Sequence, residues 1–220
     1  ENFELDANDI VNAISDTTQM IFLCSPNSPT GNLLDAGEIE SIVQIFDGIV
    51  VVDESYIDFV PQATVIGLLN KYKNLVVLRS FSHAWALAGL NLSAIIAHPD
   101  IICNIAKIAL SHPINTITIN AALEMIKNRL DIDKWTRQII DERTKVEIAL
   151  KDIPECEHIY HSDANFLLVK FSNSASIYKD LLKNGIAVHP VMGCLRLTIG
   201  LPQDNSALLG ALRRRNSSIK

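Results

Sequence analysis

Short, wholly apolar runs separated by helical periodicity dominate the first half of the chain. Met20-Ile21-Phe22-Leu23-Cys24 ends at a turn rich in Pro, Asn and Gly. Ile49 to Asp53, Leu75 to Leu78 and Leu92 to Ala97 follow in the same style. Runs of β-branched residues without polar alternation predict strands buried on both faces, as in a largely parallel sheet clothed by helices. Between the first two runs, Asp35 to Phe46 has helical spacing, with Asp35 as N-cap and Glu38 three residues later in a capping-box arrangement. From about Ile101 to Leu150 the pattern is helical, with helices expected over 120–130 and 134–150 and a stop at Pro154.

The C-terminal part changes character. Asn165 to Phe171 reads as a strand, Ser174 to Asn184 as a helix ended by Gly185, and Leu195 to Ile199 as a half-buried alternating strand. Asp204 to Arg214 reads as a closing helix. The expected fold class is therefore α/β: a large domain over residues 1–120 with a mainly parallel sheet, then a linking helix and a small α+β domain over 121–220.

Bulk properties narrow this reading. The chain has 220 residues, 48% hydrophobic and 20% charged, enough for a globular core. A net charge of -6 argues against nucleic acid as partner. The basic run Arg213-Arg214-Arg215 reads as a helix end facing solvent. Cys24, Cys103, Cys156 and Cys194 are widely spaced and read as free buried thiols. The acidic start has no apolar signal run and no stretch is long enough to span a bilayer, so the cytoplasm is expected. His158, His161 and Asp163 read as a solvated edge, with no metal site expected, and His98-Pro99 and His112-Pro113 read as turns or loops.

Four segments carry candidate chemistry: Ser25-Pro26-Asn27-Ser28-Pro29-Thr30-Gly31; Val52 to Phe59, with Asp53 and Tyr56; Arg79-Ser80-Phe81-Ser82-His83-Ala84-Trp85; and Gly193 to Gly200, with Arg196. Taken singly they read as a turn, a strand-end cap, a polar loop and an arginine in need of a partner. Taken together and in this order, they resemble fold-type I aminotransferases that use pyridoxal phosphate (PLP), and among these the histidinol-phosphate aminotransferases. The resemblance implies reversible amino transfer between an amino acid and an oxo acid, with histidinol phosphate and 2-oxoglutarate as the pair. It assigns Asp53 to the cofactor's ring nitrogen, Tyr56 and Ser28 to its phenolic oxygen, Ser80 and Ser82 to its phosphate, and Arg196 to the substrate carboxylate.

Departures from the pattern decide what to expect. His83 stands where the family has the lysine that forms the cofactor imine. A ring nitrogen has no second proton to lose, so imidazole cannot form a neutral imine. Asn91 stands where an arginine grips the phosphate, a loss of about 2 kcal/mol in a partly buried site. Ser28 replaces an asparagine, and His189 replaces an arginine that meets the substrate phosphate. Family members also carry an N-terminal stretch before the point matching Glu1, including a backbone phosphate cradle. The expectation is a truncated or degenerate homologue with little or no transaminase activity, binding PLP or pyridoxamine phosphate noncovalently and weakly if at all. Two alternatives stand beside it. One is a non-catalytic binding subunit, paired as a homodimer or with a chain that supplies the missing region. The other is a pyridoxamine-phosphate enzyme with His83 as general base.

Overall fold

The computed structural model describes residues 3–110 and 114–217. The segment with His112-Pro113 lies outside them. The first sheet has the order β1 (Met20–Cys24), β2 (Ile49–Asp53), β3 (Leu75–Ser80), β4 (Ser93–Ala97). The first three strands are parallel and β4 is antiparallel to β3. Helices α1 (Ala7–Ala13) and α2 (Ala36–Ile45) cover one face, where Ile39, Ile42 and Val43 pack on Leu23, Val50, Val52 and Val77. Burial on both faces holds for β2, whose Val50, Val51 and Val52 are all buried. It fails at the sheet's flanks: Met20 is 55% exposed, Phe22 69% and Ile95 45%, because α3 (Pro99–Ile108) lies against only part of that face.

Local capping explains where helices begin. Asp35 accepts from the backbone N–H of Gly37 and Glu38 at 2.8 and 3.0 Å, as expected of an N-cap. The second half of the capping box is absent. Glu38 instead accepts from the Ala7 N–H at 2.6 Å and docks α1, a helix the hydrophobic pattern did not reveal. His98 is the N-cap of α3 with Pro99 in its first turn, so this pair starts a helix where a turn or loop was expected.

Helix α4 (Thr116–Lys127) and the long α5 (Arg129–Leu150) lead into the second sheet. The division drawn at residue 120 falls inside α4. The second sheet is antiparallel with order β5 (Cys156–Ile159), β6 (Phe166–Phe171), β8 (Cys194–Thr198), β7 (His189–Val191). Its core joins Val146 and Leu150 of α5 to Ile177 and Leu181 of α6 (Ser174–Lys183) and Leu208 and Leu212 of α7 (Pro202–Ser217). Gly185, at φ +74°, ends α6 in the left-handed region that a side chain resists.

Two expectations need correction. Arg215 is not solvated: it donates to Glu155 at 3.0 Å and Ser176 at 2.8 Å and pairs with Asp180, tying α7 to α6 and the start of β5. Arg213 and Arg214 are exposed. Cys103 is exposed on α3, although Cys194 is buried and all four thiols are free. Among the described residues no helix is long and apolar enough to cross a membrane. His158 sits edge-on to Tyr160, and His161 bonds Asp163 at 3.1 Å. No group of three or more His, Cys, Asp or Glu among the described residues is arranged to hold a metal.

Candidate active site

A small apolar cluster joins the two sheets: Tyr56, Phe59 and Ala84 from the first half, Ala164 and Phe166 from the second. The candidate residues gather around it. Asp53 is the last residue of β2, at the carboxyl end of the parallel strands, where α/β sheets bind ligands. Its carboxylate accepts from the Ser55 N–H at 2.9 Å and the Ser55 hydroxyl at 2.5 Å, which fixes its orientation.

The next residue holds the turn that follows. Glu54 is 1% exposed and accepts from the Val65 N–H at 2.7 Å and the Thr64 hydroxyl at 2.9 Å. Arg79 of β3 pairs with it at 2.8 Å, by proximity more than by alignment, since its Nε has no well-directed acceptor. Sequence reasoning missed this pair. The signal was present, because an arginine inside the apolar run of β3 must find an anion.

That turn presents Tyr56, which is 8% exposed. His83 lies almost flat on its ring, with centroids 4.1 Å apart and planes at 18°. Phe166 of β6 meets the Tyr56 ring edge-on at 5.3 Å. Burial pushes the Tyr56 phenol above its ordinary range, and Arg196 and Ser28 beside it act the other way. Burial, then the Arg196 charge, push the His83 imidazole below its ordinary value, and Asp53 opposes them. Cys24, the Cα partner of Asp53 across β1 and β2, is held as a thiol by burial and by that carboxylate.

Arg196 comes from β8, in the other sheet. Its guanidinium sits 4.8 Å over the Phe166 ring, and Nη1 donates to the Ser28 hydroxyl at 3.1 Å. Its Nε is buried without a hydrogen-bond partner. Ser28, Asp53, Tyr56, His83 and Arg196 thus meet at one seam although they span most of the chain. His189 is exposed on β7, directly across from Arg196. Ser80 is buried and accepts from the Ser82 N–H at 3.1 Å. Asn91 stands apart: it is exposed and ends a short 3-10 turn over Ala88–Leu90 with φ +49°. Asparagine tolerates this left-handed backbone well.

These residues fit only half of a PLP site. Asp53 offers a carboxylate for a protonated ring nitrogen. The primary amine is absent at His83, and Asn91 offers no cation to a phosphate. The structure therefore does not fit covalently held PLP.

Comparison with known proteins shows the family. The model of the family described as aminotransferase class I and II matches residues 1–212, and the chain belongs to that family. Among individual proteins, it is 40% identical to a histidinol-phosphate aminotransferase of Parabacteroides distasonis, over 97% of this chain and 64% of that protein. It is 37% identical to one of Cytophaga hutchinsonii, over 96% of this chain and 62% of that protein. The chain thus spans less than two thirds of these curated relatives. In fold it is similar to the histidinol-phosphate aminotransferase of Clostridium acetobutylicum, with a TM-score of 0.92 and 23% identity over 99% of this chain and 70% of that one. The Sinorhizobium meliloti enzyme, solved in complex with pyridoxal-5'-phosphate, has a TM-score of 0.87 and 21% identity over 98% of this chain and 62% of that one. PLP is the cofactor of this family.

Proposed function

We propose that this chain is a histidinol-phosphate aminotransferase homologue whose site recognises an amino acid or oxo acid but no longer transaminates. The observation that carries the reading is the imidazole of His83, stacked at 4.1 Å on Tyr56 at the position of the family's lysine. Family transamination needs a primary amine to anchor the cofactor as an imine, and a base to move the substrate α-proton. Imidazole cannot serve as the anchor. Asp53, Tyr56 and Arg196 are assigned their family roles toward cofactor ring and substrate carboxylate. Ser80 and Ser82 are assigned to the phosphate, with Asn91 a weakened contact and His189 a weakened substrate-phosphate contact. Residues 1–120 form the cofactor-side domain and 121–220 the substrate-side domain in this reading, and the expected setting is the cytoplasm.

The test is turnover. Purified protein supplied with PLP, histidinol phosphate and 2-oxoglutarate is expected to form no glutamate above a blank. Measurable catalysis sinks the proposal. The exposed apolar face around Met20 and Phe22 favours a second reading, a non-catalytic subunit that pairs with another chain. Co-purification with a full-length homologue supports it, and a stable isolated monomer counts against it.

A further inference from the structure

Helix α4 distributes its side chains against the pattern of a helix that packs only inward. Its buried seam is built from the small residues Thr118 and Ala122. The larger Ile119, Leu123 and Ile126 lie on the outer side of that seam and are 43%, 50% and 48% exposed. Leu130, 77% exposed, continues their line into α5. Only Asn128 separates the two helices, and its N–H still reaches the Glu124 carbonyl at 3.1 Å, so the helical path carries on through the junction. Steps of four, three and four residues put these four side chains on one narrow stripe, the spacing of a helix–helix seam. Glu124 and Lys127 flank the stripe on the solvent side and pair with each other at 3.5 Å.

We propose that this stripe is an interface on which a second copy of the chain docks, α4 against α4 in antiparallel orientation. The spacing itself points to that occupant. Four-three-four is unchanged when read backwards, so a two-fold axis midway between Glu124 and Met125 sets Ile119 against Leu130 of the second copy and Leu123 against Ile126. Every position of the stripe then meets an apolar residue, as a self-complementary contact requires. In the same register Lys127 comes beside Asn120 of the second copy and Arg129 beside Ala122, so no like charges meet. The four side chains leave roughly 400 Å² of apolar surface per copy in water, and with the flanking atoms of both helices the pair buries roughly 1,200 Å² in all. That is the low end of specific interfaces, so the contact is a reversible dimer with a dissociation constant on the order of 10 μM. No residue of the candidate active site takes part, and the inference stands apart from the proposed function.

The experiment is sedimentation velocity on the full chain from about 1 to about 200 μM, over which the unmodified chain is expected to pass from monomer to dimer. Leu123→Glu and Ile126→Lys each put a charge into the seam at an exposed helical position. Each alone is expected to weaken association at least about tenfold. The antiparallel register sets position 123 of one copy against position 126 of the other, so mixing the two variants brings carboxylate to ammonium. The mixture is expected to associate at least about tenfold more tightly than either variant alone. Phe22→Glu, on the exposed face of the first sheet, is expected to leave the constant within about twofold. At about 1 μM, where the unmodified chain is monomeric, the melting temperatures of both α4 variants should match it, which separates a lost interface from a lost fold. A chain that stays monomeric throughout overturns the proposal, as does a dimer that survives both α4 variants or that Phe22→Glu dissolves. Failure of the mixture to recover association overturns the antiparallel pairing.

Discussion

The two walls of the candidate site have fared differently. In the proposed reading, one wall, Asp53 to Tyr56, keeps the groups of the family pattern, and the other, Ser80 to Asn91, lacks both the amine and the cation. The difference follows what else each residue does. Tyr56 is 8% exposed and fills the cluster that joins the two sheets, and the turn that presents it is pinned by the buried Glu54. A change there disturbs packing as well as chemistry. Asn91 is exposed at the end of a short turn, and the partly buried His83 stacks on Tyr56. Substitution at those two positions leaves the core intact. The fold is thus insured where site and core coincide and unprotected where the site only serves a ligand.

This contrast can be broken at several points. Glu54→Ala should be the most damaging change, because it strands the Arg79 charge against the Val65 and Thr64 turn. A loss of about 3 kcal/mol is expected by denaturant unfolding, the scale for a broken buried pair. A loss below about 1 kcal/mol would mean that this wall is not braced as described. Tyr56→Ala should cost about 3 kcal/mol through the cavity it leaves beside Phe166, and Tyr56→Phe about 1 kcal/mol or less. Similar costs for the two variants would locate the stabilisation in the hydroxyl and not the ring.

A third test uses pH. The His83 imidazole titrates below its ordinary value of 6.5 in the folded protein, so the unfolded chain binds the proton more readily. Its contribution to stability is complete above the unfolded value and is lost as pH falls through the folded one. Melting temperatures should therefore fall more steeply between about pH 7 and pH 5 in the unmodified chain than in His83→Gln. Parallel curves would place the imidazole in open solvent. On the ligand-facing wall the smallest effect is expected: Asn91→Gly, at a left-handed and exposed position, should shift stability by less than about 0.5 kcal/mol. A larger loss would give Asn91 a structural duty.

The same division between local and distant causes explains what was legible in the sequence. The apolar runs at Met20–Cys24 and Ile49–Asp53, the cap at Asp35 and the helix end at Gly185 are local signals, and each appears in the structure where it was expected. Asp53, Tyr56, His83 and Arg196 were named from motif order, and their meeting at one seam needed the fold. What stayed hidden depends on partners far away in sequence: Glu38 turning to Ala7, Arg79 to Glu54, Arg215 to Glu155 and Ser28 to Arg196. The exposed face at Phe22 was hidden for the opposite reason. An apolar run reads as buried whether or not a second layer is there to cover it.

The measurement that bears most directly on the lost amine is borohydride trapping. The purified chain is incubated with PLP, reduced, digested and mapped by mass spectrometry, with an absorbance spectrum taken before reduction. The account predicts no imine band and only scattered, substoichiometric labelling of surface lysines. Stoichiometric pyridoxylation of a single lysine, accompanied by the band, would contradict it.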